Sequence, residues 1–167
     1  MSVEEHRTKA PKTVKVAIVT VSDTRTEADD YSGNAIRDLL VAAGHKVPRR
    51  LIVKDDVLEI QKALRDLIED PGVEAIVTSG GTGLAHRDVT LQAVAHFEEK
   101  HIPGFGELFR MLSFQEIGSA AMNSRAEAFV SEGKLVFCLP GSEKAVRLAI
   151  DKLVAPDLGH LLWEVRR

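Results

Sequence analysis

A chain of 167 residues, 44% hydrophobic and 28% charged, has the make-up of one ordinary globular domain, long enough to bury a three-layer core. Its formal net charge of -3, with one Trp and one Tyr, argues against a nucleic-acid module, which needs a basic surface and stacking platforms. A small anionic ligand stays open, because backbone dipoles bind anions without net positive charge.

Met1 to Lys12 is polar, without the apolar stretch of a secretory signal, and no later run approaches the roughly 20 apolar residues of a membrane span. No membrane partner is expected, and the cytoplasm is the expected location. Residues 1–12 are expected to form a flexible tail ahead of a single domain over 13–167. The single cysteine, Cys138, cannot form an intrachain disulfide, which suits a reducing compartment. Within Leu135 to Leu139 it reads as a buried core residue and not as a nucleophile.

Short apolar runs alternate with helical patterns, the mark of a parallel α/β sheet. Val14 to Val21 is rich in β-branched residues and predicts a buried strand. After a polar stretch, Ser32 reads as the N-cap of a helix with Ile36, Leu39, Leu40 and Ala43 inward, ended by Gly44. A second strand, Val47 to Val53, leads to Asp55 and Asp56. The next helix carries Val57, Ile60, Leu64, Leu67 and Ile68 on one stripe and stops before Pro71-Gly72. A third strand, Glu74 to Ser79, runs into Gly80. Thr90 to Ala126 reads as mostly helical, with breaks at Pro103-Gly104 and Gly106. A hairpin over Ala128–Ser131 and Lys134–Leu139 adds one antiparallel edge contribution to an otherwise parallel sheet. Helices follow with Val146, Ala149, Ile150 and Leu153 inward, then over Leu158 to Val165.

In such a sheet ligands bind beyond the carboxyl ends of the strands, where four polar loops fall. In Ser79-Gly80-Gly81-Thr82-Gly83 three glycines within four residues let a phosphate approach the backbone amides and permit positive φ angles. No Lys-Ser or Lys-Thr follows, so this is not a Walker loop. Arg87 offers a planar fork for a phosphate or a carbonyl, and Asp88 an oxygen ligand for Mg²⁺. The alternative makes Arg87 a solvated surface group and Asp88 or Thr90 a helix cap. His86 reads as a surface imidazole. Of Asp55 and Asp56, Asp56 is expected to cap the next helix, and Asp55 is open to metal or substrate. Ser22 and Asp23 form a similar turn, and Ser142, after Pro140 and Gly141, is placed to cap a helix whose amino terminus also attracts anions.

Taken in register, Val19-Thr20-Val21-Ser22-Asp23-Thr24-Arg25, Thr78 to Gly83, Arg87-Asp88-Val89-Thr90, Ile102 to Arg110, Ala121-Met122, Ser124-Arg125-Ala126 and Leu139-Pro140-Gly141-Ser142 resemble the molybdopterin-binding family. The resemblance is to the MoaB/MogA type of molybdopterin adenylyltransferase, nearer MoaB in Gly104 to Arg110 and Gly118 to Ala121. It implies a three-layer α/β/α fold that joins AMP from ATP to the terminal phosphate of molybdopterin and releases pyrophosphate. By motif, Ser79, Gly80, Gly81, Thr82 and Gly83 would hold the ATP phosphates, with Ser22 and Asp23 at the nucleotide end and Pro140, Gly141 and Ser142 on the opposite wall. Asp55 and Asp88 would be the catalytic pair that positions Mg²⁺ and substrate. Arg87, Ser113, Met122, Ser124 and Arg125 fall where the family receives the pterin. The resemblance also implies a homotrimer or homohexamer. Phe105, Leu108, Phe109, Met111, Leu112 and Phe114 form an apolar cluster open to core packing or to an interface. Leu91 and Glu143 stand where members often carry Pro. A non-catalytic molybdopterin-binding or scaffold protein of the same fold is the alternative. A small-molecule kinase is disfavoured by the Arg87–Thr90 and Gly104–Arg110 matches.

Overall fold

The computed structural model describes residues 8–167. Its six strands are β1 (Lys15–Val21), β2 (Lys46–Val53), β3 (Ala75–Ser79), β4 (Lys100–His101), β5 (Glu127–Ser131) and β6 (Lys134–Leu139), in the order β2-β1-β3-β6-β5-β4. β2, β1, β3 and β6 are parallel; β5 runs antiparallel to β6, and β4 antiparallel to β5. The helices are α1 (Tyr31–Ala42), α2 (Val57–Glu69), α3 (Thr90–Val94), α4 (Pro103–Ile117), α5 (Glu143–Ala149) and α6 (Ala155–Arg166). The expected α/β class, with its antiparallel edge hairpin, is the one observed.

The β-branched run of β1 is buried on both faces, as a central parallel strand requires. Val16 and Ile18 pack with Ile36 and Leu40 of α1, Phe105 and Phe109 of α4, Val146 of α5 and Leu158 of α6. Ala17, Val19 and Val21 face the other way, onto Ile60, Leu64 and Leu67 of α2 and Ala93 and Val94 of α3. Those two cores on opposite faces of the sheet make the fold a three-layer α/β/α sandwich. Cys138 lies wholly inside the second, and burial pushes its thiol up to about 12.

Four local expectations are corrected. Helix α1 is capped by Asp30, whose Oδ1 accepts from the Gly33 N–H over 3.0 Å. Ser32 lies inside the first turn and donates instead to the Gly141 carbonyl (2.7 Å). Pro103 does not break a helix but opens α4, where its missing N–H is harmless. Gly106 sits within α4 because the Arg110 guanidinium and the Ala126 carbonyl come within 2.6 and 2.8 Å of where its Cβ would be. The last helix starts at Ala155, not Leu158, and follows α5 through a π-helical stretch, Ile150–Val154. Strand β4 was not foreseen, since two residues show no periodicity.

The chain leaves β1 for β2 on one side and returns to β3 on the other, so a crevice opens at the carboxyl ends of β1 and β3. Most of the expected tail, residues 1–7, lies outside the described residues; at its end the Pro11 carbonyl sits where a Gly159 side chain would be. Among the described residues no helix is long and apolar enough to cross a membrane.

Candidate active site

The glycine loop is held by contacts that admit no side chain. Gly80 has φ +104°, and a Cβ there would strike the Val21 carbonyl at the end of β1. Its N–H donates to the Leu139 carbonyl at the end of β6 (3.0 Å), and its Cα lies 3.3 Å from where a Gly141 Cβ would stand. Three strand ends therefore meet backbone to backbone at Gly80. Gly81, at φ +69°, has the Thr90 hydroxyl in the place of a Cβ and Asp55 Oδ1 3.4 Å from it; a Gly83 Cβ would lie 2.7 Å from Asp88 Oδ2. Thr90 fastens the loop, its hydroxyl donating to Gly80 O (2.8 Å) and its N–H to Gly81 O (3.0 Å). Neither Asp88 nor Thr90 caps α3 through its side chain; Asp88 Oδ2 accepts from the Ala85 N–H (2.8 Å).

Two of the acids are tied across adjacent strand ends. Asp23 Oδ1 accepts from the Asp55 N–H over 3.0 Å. Asp56 caps α2, accepting from the Glu59 N–H (3.0 Å) as expected, which leaves the Asp55 carboxylate beside the glycine loop. Burial pushes the Asp55 carboxyl above its ordinary value, as do the negative charges of Asp23 and Asp88. A main-chain hydrogen bond at Asp23 and the Arg87 guanidinium pull it back. Carboxylates that repel one another beside a bare glycine loop are a donor set of the chemistry that fits Mg²⁺.

Two cavities flank the Gly80–Gly141 contact. One, of about 290 Å³, is lined by Ser22, Arg25, Tyr31, Ser79, Gly141 and Ser142. The other, of about 370 Å³, is lined by the loop from Gly80 to Gly83 with Asp88, Asn123, Ser124 and Pro140. A larger recess, about 640 Å³, lies between residues 10–12, α1 and α6, at the opposite rim of the sheet. Its His45 has both ring nitrogens engaged, one by the Val14 N–H and the other with the Ala155 carbonyl, so catalysis is better sought at the glycine loop.

Several expected residues have structural partners at this rim. Ser22 Oγ accepts from the N–H groups of Thr24 and Arg25. Ser79 donates to the Pro140 carbonyl (3.3 Å), and Ser142 caps α5. Arg125 donates to three carbonyls, Thr82 O (3.2 Å), Gly83 O (2.6 Å) and Asp88 O (3.3 Å), so its guanidinium shapes the loop. Arg87 and Met122 are exposed, whereas Ser113 is buried in α4 and lines neither cavity.

Asn123, Tyr31 and Asp30 also line the two cavities, although none belongs to the motifs in the sequence. Asp30 is buried and accepts from Thr20 Oγ1 (2.9 Å) and Arg50 (3.1 Å), which underpins the first cavity. Its only mark in the sequence is its place three residues before Gly33, a capping spacing. Tyr31 carries the Arg25 guanidinium 5.7 Å over its ring.

A family model described as a probable molybdopterin binding domain matches residues 17–160. The chain is 51% identical over 166 residues to molybdenum cofactor biosynthesis protein B of Halalkalibacterium halodurans, covering 99% of this chain and 98% of that one. With the protein of that name from Bacillus subtilis it shares 46% over 168 residues, covering 100% and 99%. The crystal structure of the tungsten cofactor synthesizing protein MoaB from Pyrococcus furiosus superposes with a TM-score of 0.86 at 35% identity, over 95% of this chain and 100% of that one. The glycine loop, its acids and both flanking cavities lie inside the matched span, and the chain belongs to the molybdopterin-binding domain family of the MoaB/MogA type.

Proposed function

We propose that this protein works in molybdenum cofactor biosynthesis as a molybdopterin adenylyltransferase, using Mg-ATP and releasing pyrophosphate. The observation that carries this reading is the loop from Gly80 to Gly83, whose backbone lies bare between two cavities with Asp55 and Asp88 against it. One cavity on each side suits a reaction that joins two substrates end to end. An oxygen of the pterin's terminal phosphate attacks the α-phosphorus of ATP; the new P–O bond forms as the bond to the β,γ-diphosphate breaks. That nucleophile is already anionic near neutral pH, so no strong base is required. The residues' tasks are alignment and support of spreading negative charge, which the loop's backbone N–H groups and Thr82 would supply.

Asp55 and Asp88 are the residues that would hold Mg²⁺, which when bound would offset phosphate charge. Arg125 and Thr90 keep the loop in shape. Ser22 and Asp23 stand at the nucleotide end, Pro140 to Ser142 on the opposite wall, and Ser124 with exposed Arg87 and Met122 on the pterin side. Self-association belongs to the same reading. Of the apolar cluster on α4, Phe105 and Phe109 are in the core, while Leu108, Met111 and Phe114 remain exposed at 48%, 52% and 61%. That surface supports the trimer or hexamer that the family resemblance implies.

The test is to incubate purified protein with molybdopterin, Mg²⁺ and ATP and to follow adenylyl-molybdopterin and pyrophosphate. Formation of both, abolished by Asp88→Asn and by removal of Mg²⁺, is expected. Bound pterin without pyrophosphate would move the protein to the binding or scaffold alternative, and ADP in place of pyrophosphate would make it a kinase. Sedimentation at the mass of a single 18.3 kDa chain would dispose of the oligomer.

A further inference from the structure

At the outer edge of the sheet, away from the glycine loop, Glu98, His101 and Glu127 each bring one donor atom within 4.8 Å of the other two. Three segments supply them: Glu98 follows the 3-10 turn Ala95–Phe97, His101 lies on β4 and Glu127 on β5. Main-chain bonds set their positions. The Glu99 N–H donates to Val130 O (3.0 Å) and the Ile102 N–H to Ala128 O (2.8 Å). His101 pairs with Phe129, two residues along β5 from Glu127, so imidazole and carboxylate share one face of the sheet.

His101 Nδ1 and Glu98 Oε2 are 3.3 Å apart. Two donors on a tetrahedral ion with bonds of about 2.0–2.1 Å stand about 3.3–3.4 Å from each other, so this pair already has the spacing of ligands. Glu127 is half-buried, and among the described residues its carboxylate has no hydrogen-bond partner. Two carboxylates thus converge on one imidazole, an arrangement that a cation would relieve.

We propose that Glu98, His101 and Glu127 form a binding site for one divalent transition-metal ion of the zinc class, fastening the two-residue strand β4 to β5. The donor set decides the class. Carboxylates alone would suit Mg²⁺ or Ca²⁺, whereas an imidazole nitrogen with two carboxylate oxygens suits zinc and its neighbours. Three protein ligands leave a fourth position for water. The site is separate from Asp55 and Asp88 and does not depend on the adenylyl-transfer reading. Its rival is a plain Glu98–His101 ion pair with no metal.

The test titrates chelator-treated full-length protein with Zn²⁺ by calorimetry, comparing wild type with His101→Asn, Glu127→Gln and an Asp55→Asn/Asp88→Asn double variant. One Zn²⁺ per chain is expected in wild type and in the double variant. The other two should bind at least about 10- to 100-fold more weakly, the loss that removal of even an outer partner of a metal ligand causes. Zn²⁺ should also raise the wild-type melting temperature, as any ligand of the folded state does. Binding unchanged in both edge variants, lost in the double variant, or absent from wild type would overturn the site. Should an edge variant misfold, X-ray absorption on the zinc-loaded wild type decides. One nitrogen with carboxylate oxygens is expected, and an all-oxygen or sulfur-containing shell would refute the assignment.

Discussion

Asp23 and Asp55, at the ends of adjacent parallel strands, are joined by a 3.0 Å hydrogen bond from the Asp55 N–H to the Asp23 carboxylate. The bond fixes the Asp55 backbone while bringing a negative charge beside its side chain. Burial and that charge raise the Asp55 carboxyl above its ordinary value, so its ionised form is less favoured in the folded chain than in the unfolded one. At neutral pH this costs stability. The cost is full above the folded value, shrinks as pH falls from that value to the lower unfolded one, and is gone below both, where both states hold the proton.

Asp55→Asn is accordingly expected to abolish adenylyl transfer while raising the melting temperature at pH 7, on the order of 2 °C for a domain of this size. The gain should vanish near pH 3, below the unfolded carboxylate value. Thermal melts of both proteins across pH check it. A variant less stable than wild type at pH 7 would show that the Asp55 carboxylate supports the fold.

The two glycines Gly80 and Gly104 should respond oppositely to alanine. Gly80 combines φ +104° with the Val21 carbonyl where a Cβ must go, so Gly80→Ala should cost roughly 2–4 kcal/mol through strain and a backbone clash. Gly104 lies in the first turn of α4 with nothing within 4 Å of its would-be Cβ. There alanine should stabilise by about 0.5–1 kcal/mol through the unfolded chain. Denaturant midpoints of the two variants settle the matter.

How much of this was legible in the sequence depended on how local the physics is. The strand of Val14 to Val21 and the stripe of α2 were readable because burial on one or both faces writes itself into periodicity. The glycine loop was readable because a bare backbone leaves a run of glycines. Asp30 was not, since its partners Thr20 and Arg50 lie 10 and 20 residues away, and Ser32 is an equally good cap by composition. By motif alone Arg125 falls where the family receives the pterin. Only the fold brings it to the carbonyls of Thr82, Gly83 and Asp88, 37 to 43 residues distant. Strand β4 is legible only through β5, which it borders.

That guanidinium leads to a prediction about the loop. Arg125 reaches three carbonyls through a planar fork, which an ammonium on a flexible stem cannot reproduce. Arg125→Lys should therefore lose about 1.5–3 kcal/mol of stability, the range for hydrogen bonds to a charged group. Amide exchange over residues 82–88 should quicken while β1 and β6 stay protected. If substrate binding were its only role, the exchange of the unliganded loop would not change.

Asp30 offers the sharpest separation of charge from shape. Its Oδ1 caps α1 at Gly33, and its Oδ2 accepts from both Thr20 and Arg50. The carboxylate is 3% exposed, whereas Arg50 keeps 28%. Removal of a buried partner strands the groups left behind, so Asp30→Ala should cost about 3 kcal/mol: the lost cap contributes about 1, and the unpaired Thr20 and Arg50 the remainder. Asp30→Asn keeps an oxygen for the cap but has only one acceptor for three donors, and should fall between the two. If Asp30→Ala and Asp30→Asn melted together, the cap would be contributing nothing. An Asp30→Ala/Arg50→Met double variant that recovers part of the loss would trace it to the stranded guanidinium.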